Sequence, residues 1–182
     1  MPGAPDPNPL DAWVLATSAR ALGYARSLLG GNWHQAEDIV QDCYCRVLRH
    51  ADEYNLPQDG MKILLRAITN ACINARTRRR PWLSLFRQQD DDQTAIEPAD
   101  PRPEPVEQRL MQQELVEQIA AGMALLPPIQ RAALQLKADG HSQAEIAEIL
   151  DVSAGNVGVL IHRARKTLGD FLAPYLDPEV SS

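Results

Sequence analysis

The sequence contains no CxxC pair, no apolar run of membrane-spanning length and no strand-like alternation. Each absence removes a class of protein. Its three cysteines, Cys43, Cys45 and Cys72, are an odd number in apolar helical surroundings, which supports neither a disulfide framework nor a zinc site. Cys43 and Cys45 are two apart, so their thiols lie on different sides of a helix and are read as structural. The N-terminal MPGAPDPNP lacks the basic start and apolar core of a signal peptide, and the chain is expected to be cytoplasmic, without membrane insertion. The four histidines, His34, His50, His141 and His162, stand in separate segments, and no HExxH, GxSxG or phosphate-loop pattern accompanies them. No enzymatic reading, metal site or cofactor is supported. Asp38 and Asp42 are one helical turn apart, but a solvated helix face or a protein contact explains them better than a metal.

Charge is present but unevenly spread. The formal net charge is −6, so the chain does not coat nucleic acid as a whole. Through residue 87, however, eleven Lys and Arg face eight Asp and Glu. Residues 88–106 hold one Arg against six acids and include Asp90, Asp91 and Asp92 with Pro98, Pro101, Pro103 and Pro105. That composition is a linker, which spans roughly 60 Å when extended. The expected organisation is all-α. A disordered 1–9 precedes a helical domain over 10–87, the flexible acidic linker 88–106, a second small helical domain over 107–175 and a tail 176–182.

The segment Gly140–Leu168 carries the clearest local code. Ser142 and Glu145 have capping-box spacing at a helix start. Ala144, Ile146, Ala147, Ile149 and Leu150 supply that helix's apolar positions. Asp151, Val152 and Ser153 break it, and Ser153 is placed to cap a second, short helix. There Val157, Ile161, Ala164 and Leu168 recur as one stripe. His162, Arg163 and Lys166 lie opposite, with Arg165 at the flank. Two helices joined by a tight turn, the second cationic, have the form of a DNA-binding helix-turn-helix.

Upstream, Trp13, Leu15, Ala16, Ala19, Leu22, Ala25 and Leu29 predict a helix over 10–29, which Gly30-Gly31-Asn32 ends. A second helix, about 35–50, turns Ile39, Val40, Cys43, Val47 and Leu48 inward and Asp38, Gln41, Asp42, Arg46 and Arg49 outward. Tyr54–Gly60, with Pro57 and Gly60, reads as a loop. A third helix, about 61–79, buries Met61, Leu64, Leu65, Ile68 and Cys72. It exposes Arg66, Asn70, Asn74 and Thr77 and runs into Arg76, Arg78, Arg79 and Arg80 before Pro81. Four guanidiniums in five positions exceed what a helix dipole needs, and they suit a phosphate-tracking surface. Helices over 107–125 and from Pro128 to Gly140 complete the chain.

These motifs, in this order, resemble the extracytoplasmic-function (group four) sigma factors of bacterial RNA polymerase, across roughly residues 10–172. Ala36-Glu37-Asp38-Ile39-Val40-Gln41-Asp42 followed by Arg46-Val47-Leu48-Arg49 is similar to the helix that such factors dock on the polymerase β′ clamp helices. Leu64 to Asn74, followed by the arginines, is similar to the −10 recognition helix. Leu126-Pro127-Pro128-Ile129-Gln130-Arg131 and the helix-turn-helix through Arg165 are similar to the −35-reading domain.

The resemblance implies an initiation factor whose partners are core RNA polymerase (β′ clamp helices and β flap), promoter DNA and an anti-sigma factor. It implies core contacts at Asp38, Gln41, Asp42, Arg46 and Arg49. It implies −10 contacts at Tyr54, Asn55, Arg66, Asn70, Asn74, Arg76, Arg78, Arg79 and Arg80, the segment Tyr54–Gly60 lying where the family captures a flipped base. Contacts to −35 are implied at Ser153, Asn156, Val159, His162, Arg163, Arg165 and Lys166. The acidic linker would thread toward the RNA exit path.

Two departures stand out. Aliphatic Ile63 and Leu65 replace aromatic residues common in the family. Gly158, Val159 and Leu160 stand where Lys, Ser or Thr, and Arg are usual, which is expected to weaken −35 affinity and flatten its salt dependence by about two phosphate contacts. A stand-alone helix-turn-helix regulator, and a sigma-like protein that sequesters an anti-sigma factor, are the alternative readings.

Overall fold

The computed structural model describes residues 8–79 and 106–176, with side chains placed for 8–75 and 112–176. The linker expected over 88–106 lies outside the described residues except for Val106, as do Pro81, Arg80 and the terminal segments before 8 and after 176. Among the described residues there are seven α-helices and one 3-10 turn, and no strand, as the periodicity predicts. They are α1 (Pro9–Leu28), α2 (Trp33–Arg49), α3 (Leu56–Arg79), α4 (Val106–Leu125), α5 (Pro128–Ala138), α6 (Gln143–Leu150) and α7 (Ala154–Leu176); the turn is Ala51–Glu53.

Helices α1–α3 pack on one another, and α4, α5 and α6 each pack on α7. Asn8 caps α1 by accepting from the Leu10 amide, and Asn32 caps α2 by accepting from the Gln35 amide. Gly30 and Gly31 both have positive φ, 70° and 91°, and this lets the chain reverse between those helices. Tyr24, buried in the first bundle, donates to Thr69 Oγ1 at 2.7 Å, because the Thr69 hydroxyl itself donates to the Leu65 carbonyl at 2.8 Å. Burial drives the Tyr24 phenol pKa well above its ordinary value, against the opposing pull of that hydrogen bond.

Several expected registers need correction. Leu15, Ala16 and Ala19 are exposed, and the buried line of α1 runs instead through Ala21, Tyr24, Ala25 and Leu28. Tyr54–Gly60 is mostly not a loop, since α3 begins at Leu56. Pro57 falls in the first turn, where its missing N–H costs nothing. Gly60 is buried beneath the Trp13 ring, which a Cβ there would meet at 2.8 Å. The second helix of the helix-turn-helix is not short, because α7 continues past Pro174 to Leu176. Ala144 is exposed. Leu160 is 92% buried, because the inward line of α7 runs through Val157, Leu160, Ala164 and Leu172, with Ile161 and Leu168 only half-buried at its edge.

The two bundles do not stand apart. Helix α3 packs against α5 and α6, and α1 against α5, so apolar residues of both bundles form one continuous core. Arg131 of α5 is fully buried and donates to the Leu28 carbonyl at the end of α1, 3.0 Å away. A cation there complements the negative end of the α1 dipole.

Candidate nucleic-acid and polymerase interface

Three exposed polar faces emerge, each held by an inward apolar line. On α2, Val40, Cys43, Tyr44 and Val47 face the core and leave Asp38, Gln41, Asp42, Arg46 and Arg49 exposed. Asp38, Ile39, Gln41 and Asp42 line a shallow depression. Arg46 Nη2 lies 3.8 Å from Asp42 Oδ2, an exposed i,i+4 pair that contributes little stability but fixes the charge pattern. Burial raises the Cys43 thiol pKa, which leaves that residue an inert part of the support. Among the described residues no group of His, Cys, Asp and Glu could hold a metal ion.

On α3, Arg66, Asn70 and Asn74 recur at four-residue intervals along one exposed face, behind buried Leu64, Leu65, Ile68 and Cys72. Tyr54 and Asn55 precede the helix and are exposed, and Asn55 Nδ2 donates to Gln58 Oε1 at 3.1 Å. Arg76, Arg78 and Arg79 belong to the last turns of α3, but their side chains, like all of Arg80, lie outside what is described.

The third face is on α7. Ser142 and Glu145 form the expected reciprocal cap on α6. The Ser142 amide donates to Glu145 Oε2 at 2.9 Å, and this, with the serine side chain, holds the Glu145 carboxyl below its ordinary pKa. Asp151, with φ 57°, then turns the chain left-handed. Ser153 Oγ accepts from the Asn156 amide at 3.3 Å, so its side chain is engaged in capping α7. Asn156, Val159, His162, Arg163 and Lys166 are exposed on α7, and Arg165 flanks them. Lys166 Nζ is 2.9 Å from Asp170.

Sequence reasoning missed two neighbours of this face. Lys137, in the last turn of α5, and Gln143, first in α6, join Gly158, Ile161, His162 and Arg165 around an open groove of about 270 Å³. Three nitrogen-bearing cationic or titratable side chains and an amide at one concave spot suit a backbone phosphate. Gly158 opens that groove, since a side chain would begin to fill it. Leu160 does not face it, so only Gly158 and Val159 of the three departures stand on the exposed side. Also unforeseen were ion pairs between the bundles, Arg66 Nη2–Asp151 Oδ1 at 2.9 Å and Lys62 Nζ–Glu148 Oε2 at 3.2 Å.

A helix-turn-helix behind a helical bundle with polar faces on α2 and α3 is the arrangement of a sigma-70-type factor, and comparison with known proteins agrees. Residues 13–81 match the family model for Sigma-70 region 2, and residues 117–168 that for Sigma-70, region 4. The chain belongs to the extracytoplasmic-function (ECF) sigma factors. It is 34% identical over 148 residues to the ECF RNA polymerase sigma factor SigE of Mycolicibacterium smegmatis, covering 81% of this chain and 55% of that protein. It is 29% identical over 151 residues to the ECF RNA polymerase sigma factor SigW of Bacillus subtilis, covering 76% of this chain and 75% of that one. The chain thus spans about half the length of the first relative and three-quarters of the second. The sigma factor RpoE, solved in complex with the anti-sigma factor NepR from Bartonella quintana, has the same fold, with a TM-score of 0.66 at 21% identity over 90% of this chain and 96% of that one.

No helix among the described residues is long and apolar enough to cross a membrane.

Proposed function

We propose that this chain is a cytoplasmic transcription initiation factor that binds core RNA polymerase and directs it to promoters, with no catalytic chemistry of its own. The observation that carries this reading is the set of three exposed polar faces, on α2, α3 and α7, mounted in family order on an apolar scaffold. The α2 face, with Asp38, Gln41, Asp42, Arg46 and Arg49, docks the β′ clamp helices. Tyr54, Asn55, Arg66, Asn70, Asn74 and the arginines from Arg76 to Arg80 engage the −10 element. Asn156, Val159, His162, Arg163, Arg165 and Lys166, with Ser153 fixing the helix start, engage the −35 element, while the domain around them meets the β flap. The proposed units are 10–87 and 107–175. Because a structural neighbour is held by an anti-sigma factor, we assign this chain an inhibitor of the same kind.

Co-purification with core polymerase and run-off transcription from the chain's own promoter test the proposal. Charge reversal at Asp42 is expected to abolish core binding without unfolding the protein, since that side chain is exposed. Wild-type chain that fails to bind core enzyme would sink the reading. DNA binding without polymerase would favour a stand-alone regulator, and binding only to an anti-sigma factor a sequestering protein.

A further inference from the structure

We propose that Lys137 and Arg165, with Gln143 as a neutral donor, clamp one backbone phosphate of duplex DNA, and that Gly158 is the residue that admits it; the proposal rests on the DNA-binding reading of α7 above. Three helices converge on this groove of about 270 Å³. Lys137 comes from the last turn of α5, Gln143 from the start of α6, and Gly158, Ile161, His162 and Arg165 from α7. All but Ile161 are exposed. An ammonium and a guanidinium on different helices therefore share one concave, solvent-open spot.

The charges in this groove are uncommitted, unlike cations elsewhere on the proposed DNA faces. Lys166 is paired with Asp170, and Arg66 with Asp151. Among the described residues no carboxylate pairs with Lys137 or Arg165. Asp139, two residues beyond Lys137, instead accepts from Gln135 Nε2 at 3.0 Å. Two like charges gathered without an acid repel each other, and an anion between them relieves that repulsion. Gln143 is held in place, since its Nε2 donates to the Ala154 carbonyl at 2.6 Å and ties the start of α6 to the first turn of α7. That bond uses one of two amide hydrogens, and the second remains for a phosphate oxygen.

Gly158 decides access. A Cβ there would lie 3.6 Å from Gln143 Nε2, an ordinary contact, whereas a longer side chain would extend into the groove that Gly158 lines. The glycine that stands where a lysine is usual is thus a requirement of the clamp and not only a lost cation. Lys137 returns one of the two phosphate contacts missing from α7. The contact has moved to the helix before the helix-turn-helix, outside the recognition helix. A phosphate held from there fixes the register of α7 on the duplex and carries no sequence information itself.

Binding of the full free chain to a mixed-sequence DNA duplex, titrated with salt, tests the clamp. Lys137→Ala is expected to flatten the log–log salt slope by about 0.9, one phosphate, and to weaken binding about eightfold near 0.1 M salt. Gly158→Leu changes no charge, yet it is expected to flatten the slope equally, because leucine fills the groove. The double variant should lose no more than either single one, since both remove the same contact. Gln143→Glu sets an acid against the groove's cations and should flatten the slope as well. Gly158→Ala should keep the wild-type slope, and a flattened slope there would trace the effect to the backbone of α7 and overturn the clamp. So would a wild-type slope in Lys137→Ala, Gly158→Leu or Gln143→Glu, losses that add in the double variant, or a wild-type chain that binds no duplex at low salt. Lys137 is exposed, so Lys137→Ala decides alone should a change at Gly158 or Gln143 disturb the fold. The measurement needs no polymerase. A chain that clamps duplex but binds no core enzyme counts against the proposed initiation role alone, whereas initiation with unaltered slopes removes the clamp alone.

Discussion

Replacing Gly60 with alanine separates helix propensity from packing. Gly60 lies in the first turns of α3, where alanine ordinarily stabilises a helix by about 1 kcal/mol over glycine. Here an added Cβ would sit 2.8 Å from Trp13 Cζ2, 3.0 Å from Cε2 and 3.1 Å from Leu56 Cδ2. The indole cannot easily retreat. Its ring meets Tyr44 edge-on at 5.6 Å, and Tyr44 is tied to Thr17 at 2.7 Å, whose hydroxyl donates to the Trp13 carbonyl. Overpacking of this kind costs about 1–3 kcal/mol. Set against the propensity gain, the net expectation is a loss of about 1 kcal/mol, a fall of about 2–4 °C in Tm for a chain of this size. Gly158→Ala is the matched control. The nearest atom to its Cβ is Gln143 Nε2 at 3.6 Å, an ordinary contact, so this variant is expected to gain about 1 kcal/mol. Parallel thermal melts followed by far-ultraviolet circular dichroism read both. If the two substitutions raise Tm alike, the close approach of α3 to Trp13 is wrong.

Other expectations are as specific. Thr69→Val leaves the buried Tyr24 hydroxyl without its acceptor and should cost about 1–3 kcal/mol in urea unfolding, a loss that Tyr24→Phe in the same chain should partly restore. Val159→Lys adds a cation to the exposed face of α7, so affinity for a −35 duplex should rise and its log–log salt slope should steepen by about 0.9; an unchanged slope places Val159 away from phosphate. The Glu145 carboxyl is held below its ordinary pKa by the Ser142 amide. Its contribution to stability is therefore complete above the unfolded value and is lost as pH falls through the lower folded value. Glu145→Gln should lower stability at neutral pH and flatten that acid limb of a stability-versus-pH curve, the two chains converging at low pH. His141 accepts from Arg20, so its Nε2 carries no proton, and burial followed by the Arg20 charge lowers its pKa, against the opposing pull of Glu145 and Asp139 and with a further lowering from Lys62. The unfolded chain takes up that proton first, so stability should decline as pH falls below the ordinary histidine value and level off past the folded one. His141→Gln should remove the decline.

What the sequence discloses here depends on how far apart the partners are. Ser142 and Glu145 were legible because both halves of the cap lie within one turn. The outward residues of α2, α3 and α7 were legible because a 3.6-residue period assigns faces without knowing the neighbours. Errors arose where a residue's local meaning yields to context. Pro57 and Gly60 signal a break, yet proline suits a first helical turn and this glycine accommodates an indole. On α7 the expected stripe is right at Val157 and Ala164, but Leu160 and Leu172 complete the buried line while Ile161 and Leu168 are only half-buried, since α5 and α6 as well as α4 pack on this helix. The ion pairs between the bundles were beyond reach for a different reason: Lys62 and Glu148 are 86 residues apart, both are ordinary helix-surface charges, and nothing local pairs them.

The buried hydrogen bond from Arg131 to Leu28 has a consequence for how order is shared along the chain. A helix's last carbonyls have no partner within their own helix, and α1 borrows a donor for one of them from α5. The final turn of α1 and the Gly30–Gly31 corner are therefore held partly by a helix about one hundred residues downstream. Amide hydrogen exchange at Leu29 and Gly31, whose N–H groups bond back into that turn, becomes a remote gauge of the other bundle. Those amides should exchange faster whenever α5 moves away, although no residue near them has changed, and a fragment ending after α3 should show the faster rate permanently.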